Sequence, residues 1–407
     1  MKPTVLIATT SSWFPTARLA MALADAGCTV DAVCPARHPL AKLGGMRRAY
    51  DYRGLTPLAS FAHAISETKP DLIVPGDDLA TLHLHRLHQR EKRDGETAAL
   101  IERSLGKAES FPVVYERSKF IELAREEGIR APKTEVIANV QNLKQWLDRM
   151  GFPTVLKSNG TSGGDGVRVI HSLEEAERAF QELQDPPLFA RALKRALLDQ
   201  NKTLLWPALL RRRSVVNAQE FVAGREATSA VACWQGTVLS SLHFEVLKKR
   251  DSAGPSSVLR LIENAEMSAA AEKMARRLKL SGLHGFDFML EAHTENAHLI
   301  EINPRATQVG HLTLGPGRDL PAALCAAVSG EAVQVAPKVT ENDTIALFPQ
   351  EWIRDPESEF LQSGYHDVPW EEPELLRACL RKIRKQGALE FPQRPVQALA
   401  PVRLPRL

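Results

Sequence analysis

Short apolar runs alternate with amphipathic stretches along the first 80 residues. Residues 4–9 (TVLIAT), 29–35 (TVDAVCP) and 71–78 (DLIVPGDD) contain apolar runs that are typical of buried strands. The stretches at 16–27 and near 56–68 place their apolar residues at helical spacing. Strands that alternate with helices in this way predict a small parallel sheet with helices on both faces.

Polar residues follow the first and third of these strands. Ligands of parallel sheets gather at the carboxyl ends of the strands, which indicates Ser11, Ser12, Asp77 and Asp78 as candidate contacts. The alternative is that they are loop residues that cap helices. No GxGxxG follows the first strand, so the dinucleotide-binding fingerprint is absent.

The segment from about 80 to 117 is helical in pattern and rich in charge. Its histidines, His83, His85 and His88, are two and three residues apart and do not share one helical face. The pattern therefore favours a solvated helix over a metal site.

Ser118 has the position of a helix cap, and the helix that it begins is predicted to end at Gly128. Lys119 then lies in the first helical turn, where the helix dipole favours anions over cations. A phosphate bound nearby would account for the lysine. An ordinary surface lysine is the alternative.

A glycine-rich loop lies between two further predicted strands. The first strand ends at Lys157, and the loop contains four glycines before the chain becomes apolar again: Gly160, Gly163, Gly164 and Gly166. Such a loop lets backbone N–H groups approach an anion closely and predicts a flap over phosphates that Lys157 can also reach. It is not a P-loop, because it lacks GK[ST] and leads into a strand. Turn geometry alone is the alternative explanation.

The stretch 286–303 predicts a hairpin that carries acids inside apolar runs. With a turn near Thr294, Asp287 lies opposite Glu301, and period-two alternation places Asn303 on the same face. The opposite face is predicted to hold Phe286, Phe288, Ile300 and Ile302. Facing carboxylates repel each other, and an amide oxygen beside them completes a donor set that suits Mg²⁺ or Mn²⁺. A solvated polar face is the alternative, in which Arg305 pairs with one of the acids.

Composition narrows the class of protein. The chain has 407 residues and a formal charge of +3, which allows two or three domains and gives no global argument for nucleic acid or an anionic membrane. Five cysteines without CxxC spacing predict reduced thiols and no zinc site. There is no signal-peptide pattern and no membrane-spanning run, so we expect a cytoplasmic protein.

The motifs in their order along the chain resemble the ATP-grasp superfamily. They are Lys119, Lys157 with SNGTSGGDGV, QEFVAGRE, GFDFML, and EINPR followed by His311. The similarity is to the branch of carboxylate-amine and carboxylate-thiol ligases with a biotin-carboxylase-like core, and it covers about residues 118–330. The EINPR segment, with an acid upstream in FxF context, is its most specific part.

The resemblance implies a role for each matching residue. Lys119 and Lys157 would contact the phosphates of ATP, under a flap formed by the loop that includes Gly160, Ser162, Gly163, Gly164 and Gly166. The adenine would lie against Glu220, Phe221 and Val222, and the ribose near Glu226. Two Mg²⁺ ions would bind Asp287, Glu301 and Asn303. Arg305 would steady an acyl phosphate, which makes Arg305 and Lys157 the expected catalytic residues.

The resemblance also implies an architecture of mixed α/β and α+β class. Residues 1–115 would form a parallel-sheet pre-ATP-grasp domain, and 116–330 a two-lobed ATP-grasp domain with antiparallel sheets and a flap subdomain at about 155–225. Residues 331–407 would be a small appendage. No role is assigned to the basic residues 248–250.

The implied activity is ligation. A small carboxylate, with an amino acid as the leading candidate, would be activated by ATP and joined to an amine, and dimers are common among relatives. The alternatives are a carboxylase that uses carboxyphosphate and a nucleotide-binding module without turnover.

Overall fold

A computed structural model describes residues 2–92, 95–159, 166–185, 213–251, 254–332 and 336–385. The N-terminal unit contains, in order, β1 (Thr4–Ala8), α1 (Pro15–Asp25), β2 (Thr29–Cys34), β3 (Met46–Asp51), α2 (Pro57–Thr68) and β4 (Leu72–Pro75). These strands form a parallel sheet in the order β3-β2-β1-β4, as the alternation predicts. The edge strand β3, MRRAYD, was not predicted because it has no apolar run.

Two helices follow β4: α3 (Asp78–Arg90) and α4 (Glu96–Leu105). The prediction of a solvated helix is wrong for α3, because His83 and His85 are only 6% and 4% exposed. Their burial lowers the pKa of His83 to about 4 and that of His85 to about 3, so both rings are neutral at ordinary pH. His85 stacks on Phe111 at a centroid distance of 3.6 Å.

The second unit carries a four-stranded antiparallel sheet. Its elements are α5 (Arg117–Glu126), β5 (Thr134–Ile137), α6 (Val140–Met150), β6 (Thr154–Ser158), β7 (Val167–Ile170), α7 (Leu173–Gln184) and β8 (Val216–Glu220). The strand order is β5-β8-β6-β7. Helices α6 and α7 cover one face through the fully buried Trp146 and Phe180. This sheet carries Lys157, near the end of β6.

A seven-stranded sheet forms the rest of the molecule. Its elements are β9 (Gly224–Trp234), β10 (Thr237–Lys249), β11 (Ser256–Leu261), α8 (Ala265–Leu278), β12 (Gly282–Glu291), β13 (Ala297–Asn303), α9 (Leu320–Ser329), β14 (Thr344–Leu347), α10 (Gln350–Arg354), α11 (Phe360–Ser363), β15 (Tyr365–Asp367) and α12 (Pro373–Lys385). The strand order is β13-β12-β9-β10-β11-β14-β15.

The C-terminal segment belongs to this sheet. β14 pairs with β11, and β15 pairs with β14, so the prediction of a separate appendage after residue 330 is wrong for 336–385. The prediction failed because β14 and β15 have only four and three residues.

Both faces of the large sheet are covered. One packs on α5 and α8 through a cluster that includes Phe286 and Phe288. The other packs on α1 and α9 through a cluster that includes Phe244 and Leu283. The hairpin of β12 and β13 therefore belongs to a sheet that is packed on both faces.

A disulfide joins Cys28, just before β2, to Cys325 in α9, with 6.5 Å between their Cα atoms. The prediction that the thiols are reduced is wrong for this pair. Cys34, Cys233 and Cys379 are buried and take no part in this disulfide. None of the described helices combines the length and the apolar composition that crossing a bilayer requires.

Candidate active site

The hairpin places two carboxylates opposite each other. Asp287 pairs with Glu301 in the ladder of β12 and β13, as the alternation predicts. The hydroxyl of Thr228 donates to Asp287 Oδ1 at 2.8 Å, and Asn303 Nδ2 donates to Oδ2 at 2.9 Å. Burial, with the negative charge of Glu301 as a second cause, raises the pKa of Asp287 to about 6. The charge of Glu301 thus acts directly on the Asp287 carboxyl group.

The register differs in one detail from the predicted hairpin. A shift after Asp287 pairs Phe288 with Leu299, which leaves Ile300 as an extra residue on β13. Leu299 is therefore the fully buried residue, and Ile300 is only half-buried. The bulge lets Glu301 and Asn303 keep the face of Asp287 while Leu299 and Ile302 both reach the core.

Lys157 lies at the end of β6, opposite these acids. It is 6% exposed, and burial lowers its pKa to about 8, although the negative charges of Glu301, Asp287 and Glu226 act in the opposite direction. A buried ammonium group among carboxylates is a point charge suited to phosphate oxygens.

Arg117 is a second cation, and no local sequence pattern predicts its place in the site. Its Nη2 lies 2.8 Å from Glu301 Oε1, and its Nη1 donates to the carbonyl of Ser158 at 3.0 Å. Lys119, the predicted phosphate contact, is 59% exposed and pairs with Glu116 at 2.7 Å. The predicted cap is wrong, because α5 begins at Arg117 with Glu116 as its N-cap, but Lys119 still lies in the first turn of the helix and its phosphate contact stays a prediction.

Arg305 connects the hairpin to the N-terminal unit. Its Nε donates to Asp78 Oδ1 at 3.0 Å, its Nη2 to Asn303 Oδ1 at 3.2 Å and its Nη1 to the carbonyl of Ala306 at 3.3 Å. The side chain is 20% exposed. Three contacts hold the guanidinium plane in place beside the two acids.

Asp77 has the capping role that the sequence left open. Its carboxylate accepts from the N–H of Ala80 in the first turn of α3 and from groups of the loop after β1. Asp78, the next residue, is the one that contacts Arg305. Ser11 contacts Asp77, so these two candidate residues, which follow different strands, lie together.

Four residues of the predicted flap, Gly160, Ser162, Gly163 and Gly164, lie outside the described residues. Gly166 is described, and its carbonyl accepts from the N–H of Ser158 at 2.9 Å. The ends of β6 and β7 are therefore paired where the loop leaves them.

The predicted adenine segment connects the two sheets. Glu220 ends β8 and accepts from the N–H of Lys133 at 3.1 Å, Phe221 is 37% exposed, and Val222 is half-buried. Glu226, in β9, pairs with Lys249 at 2.7 Å. The basic residues at 248–250 thus contribute one contact to the edge of this site.

The donor set fits a hard divalent cation. Asp287 and Glu301 offer carboxylate oxygens, and the Asn303 amide offers a carbonyl oxygen that now accepts from Arg305. Among the described residues, no third acid, histidine or cysteine joins them to make a cluster of three. Two carboxylates are the usual protein contribution where phosphate oxygens and water complete the coordination of Mg²⁺.

Comparisons with known proteins agree with this geometry. Residues 116–314 match the family model described as the carbamoyl-phosphate synthase L chain, ATP binding domain. A formate-dependent phosphoribosylglycinamide formyltransferase from Bacteroides fragilis is 24% identical over 63% of the chain and 59% of its own length. An arginine-specific carbamoyl phosphate synthase large chain from Bacillus subtilis is 21% identical over 57% of the chain and 22% of its own length. The chain thus spans less than two thirds of the length of these two curated relatives.

Solved structures show the same fold. The biotin carboxylase domain of a Hydrogenobacter thermophilus 2-oxoglutarate carboxylase has a TM-score of 0.58 at 15% identity, over 82% of this chain and 71% of that one. N5-carboxyaminoimidazole synthetase from Staphylococcus aureus has a TM-score of 0.58 at 13% identity, over 82% and 79% of the two chains. The resemblance to the ATP-grasp superfamily that the motifs indicate is confirmed for residues 116–314, which match this ATP binding domain.

Proposed function

We propose that the protein is an ATP-dependent ligase that activates a small carboxylate as an acyl phosphate and joins it to an amine, with release of ADP and phosphate. The observation that carries this proposal is the facing pair of Asp287 and Glu301 with Lys157 and Arg117 beside it. A site without turnover has no need of metal-binding acids whose repulsion must be offset.

The chain's own groups have separate tasks in this reaction. Arg117 and Lys157 neutralise charge on the phosphates, and Arg305 holds the carboxylate in line with the γ-phosphorus. The carboxylate oxygen attacks the γ-phosphorus, and the bond from this phosphorus to the ADP oxygen breaks. The amine nitrogen then attacks the acyl carbon, the bond from this carbon to the phosphate oxygen breaks, and the proton that the nitrogen loses passes to the released phosphate. Asp287, Glu301 and Asn303 would hold two Mg²⁺ ions, or Mn²⁺, which supply positive charge to the phosphate oxygens.

The remaining residues would bind the nucleoside. We propose that Glu220, Phe221 and Val222 hold the adenine, that Glu226 lies at the ribose, and that residues 160–166 cover the phosphates. We further propose that residues 116–330 form the ATP-grasp unit and that the protein is a cytoplasmic homodimer. In support of the dimer, the Hydrogenobacter structure is described as a dimer, with MgADP and bicarbonate bound.

The test is an ADP-release assay with Mg-ATP over a panel of carboxylates and amines, with hydroxylamine present to trap the acyl phosphate as a hydroxamate. Glu301→Gln should abolish release, whereas Glu291→Gln, a half-buried acid of the same hairpin, should leave it unchanged. Bicarbonate belongs in the panel, because the Hydrogenobacter structure contains a bicarbonate anion. ADP release with bicarbonate alone would favour carboxyphosphate chemistry. Absence of any product would favour the nucleotide-binding module.

A further inference from the structure

A polar cavity of about 130 Å³ lies beside the first half of β10, on the side of the large sheet that α8 covers. The pairing of β10 with β11 begins only at Phe244, so the residues before it border the cavity. The lining comes from β10, the residues after β11, α8 and the loop before α9. Its polar side chains are Ser241, His243, Glu263, Ser268 and Arg318.

The cavity is separate from the proposed ATP site. His243 Nδ1 lies 2.7 Å from the hydroxyl of Ser229 in β9. The residue before it, Thr228, donates to Asp287 at the proposed metal site. Because neighbouring residues of a strand point to opposite faces, the cavity and the metal site lie on opposite sides of the sheet. A ligand in the cavity therefore does not contact the metal-binding acids.

His243 fixes the polar wall of the cavity. The Ser268 hydroxyl donates to the carbonyl of Asn264 at 3.2 Å and lies 2.9 Å from His243 Nε2, so Nε2 carries the proton and Nδ1 accepts from Ser229. Burial, with the positive charge of Arg318 as a second cause, lowers the pKa of His243 to about 4. The ring is therefore a neutral support for the serine.

Two hydroxyls can turn towards a ligand. That of Ser241 lies 3.4 Å from His243 Nε2, the one contact described for this side chain, and this distance leaves its proton available. Ser268 can also redirect its proton, because the carbonyl of Asn264 still accepts from the backbone N–H of Ser268 at 3.1 Å. Both hydroxyls would then donate into the cavity.

Arg318 supplies the positive charge from a fixed loop. The carbonyl of Gly317 accepts from the Ser240 hydroxyl at 2.8 Å and from the N–H of Ser241 at 3.3 Å. The N–H of Arg318 donates to the carbonyl of Gly315 at 3.0 Å. The loop is thus tied to β10 and to itself, and the guanidinium is only 33% exposed.

An exposed acid now pairs with this guanidinium. Glu263 contacts Arg318, but the Glu263 side chain is 76% exposed. Such a pair contributes little stability, and the acid returns to water at small cost. A guanidinium offers several N–H donors in a planar fork that suits oxyanions. An anion that enters the cavity can therefore replace Glu263 at Arg318.

We propose that this cavity binds a phosphate group, with Arg318 as its charged partner and Ser241 and Ser268 as hydroxyl donors. The volume is well below the roughly 300–1,000 Å³ of sites for drug-sized ligands, so a whole nucleotide does not fit. The donors belong to β10, α8 and the loop before α9, and a tetrahedral group directs oxygens to all three, whereas a planar carboxylate does not. The inference is independent of the proposed ligase activity.

Calorimetry on the whole chain tests the inference. Mg²⁺ and a non-hydrolysable ATP analogue are held at saturation so that the ATP site is occupied, and inorganic phosphate, glycerol 3-phosphate and acetate are titrated at constant ionic strength. We expect one phosphate per chain, bound at least roughly tenfold more tightly than acetate. Tighter binding of glycerol 3-phosphate identifies an ester as the source of the group, and weaker binding identifies the free ion. No binding of either phosphate, or equal binding of acetate, overturns the inference.

Two variants that each remove one positive charge locate the contact. Arg318→Gln should weaken phosphate binding at least roughly tenfold. Lys338→Gln is the matched control, because Lys338 lies against the same loop at Gly315, pairs with Glu341 and is absent from the described lining of the cavity. Its effect should stay within roughly twofold. Equal losses for the two variants would indicate general attraction of anions and refute the site.

Glu263→Gln should change the affinity in the opposite direction. Removal of the competing carboxylate frees Arg318, so phosphate should bind several-fold more tightly than to the wild type. Thermal melting of each variant without phosphate checks that the fold is intact. If Arg318→Gln does not fold, Glu263→Gln decides alone. Unchanged or weaker phosphate binding in Glu263→Gln would show that the ion pair is only structural and would overturn the proposal.

Discussion

The guanidinium of Arg117 and the carboxylate of Glu301 lie 2.8 Å apart, and this contact joins the first turn of α5 to the edge strand of the large sheet. The same guanidinium donates to the carbonyl of Ser158, the residue after Lys157. Arg117 thus fixes the spacing between the acids of one sheet and the lysine of the other.

Replacement of Arg117 should therefore impair the reaction more than replacement of Lys119. We expect Arg117→Ala to lower the rate of ADP release by roughly 10²-fold, the usual loss for one group that stabilises transition-state charge. Lys119→Ala serves as the control, because that lysine is exposed and pairs only with Glu116 among the described contacts. Steady-state kinetics with saturating substrates measure both. Equal losses for the two variants would support Lys119 as a phosphate contact alongside Arg117.

The pH dependence of kcat/KM for Mg-ATP should be bell-shaped. Below about pH 6 Asp287 becomes protonated and loses its capacity to bind the cation, and above about pH 8 Lys157 becomes neutral. Lys157→Arg should move the upper limb out of the measured range, because a guanidinium stays protonated. An unshifted upper limb in this variant would assign that ionisation to another group.

Asp287 should also lower the stability of the metal-free protein as pH rises. Its pKa of about 6 in the fold exceeds its unfolded value of 3.8, so the native state holds more protons between these values, and the free energy of unfolding falls as pH rises through them. Denaturant titrations without Mg²⁺ should show a weaker fall in Asp287→Asn than in the wild type. Mg²⁺ should offset the loss at neutral pH.

Arg305 should separate nucleotide binding from acyl-phosphate formation. Arg305→Ala should retain affinity for the ATP analogue within a few-fold and lose most ADP release, since its contacts are with Asp78 and Asn303 at the carboxylate side. Calorimetry and the release assay provide the two readouts. Loss of nucleotide binding would place Arg305 at the phosphates of ATP.

Removal of the disulfide should reduce stability only under oxidising conditions. The bond between Cys28 and Cys325 closes a segment with a sequence separation of 297, so its loss is expected to cost about 5.7 kcal/mol by the loop-entropy model. The Cys28→Ser/Cys325→Ser double variant should melt at a lower temperature than oxidised wild type and should not respond to reductant. A wild-type melting temperature that reductant leaves unchanged would contradict the bond.

The predictable part of the fold and site is the part with local periodicity. The hairpin of β12 and β13 follows from alternation, which also gives the pairing of Asp287 with Glu301. Lys157 was found because a glycine-rich loop follows it. In both cases the signal and the side chain belong to one short stretch of sequence.

The missed features depend on distant packing. Nothing near Arg117 in the sequence shows that it faces Glu301, which is 184 residues away. His83 and His85 look solvent-exposed among charged neighbours, and only packing against residues such as Phe61 and Phe111 buries them. The short strand β14 has too few residues for a period, and its assignment rests on its pairing with β11.

The strand order of the large sheet has a practical consequence for truncated versions of the protein. The acids lie at its β13 edge, whereas β14 and β15, the last strands in sequence, close the opposite side. A fragment that stops at residue 330 keeps every proposed ATP-binding residue but leaves β11 with unpaired backbone groups beside the apolar residues that Leu347 and Phe348 normally cover. Such an edge recruits other chains, so this fragment should aggregate even though its catalytic residues are intact.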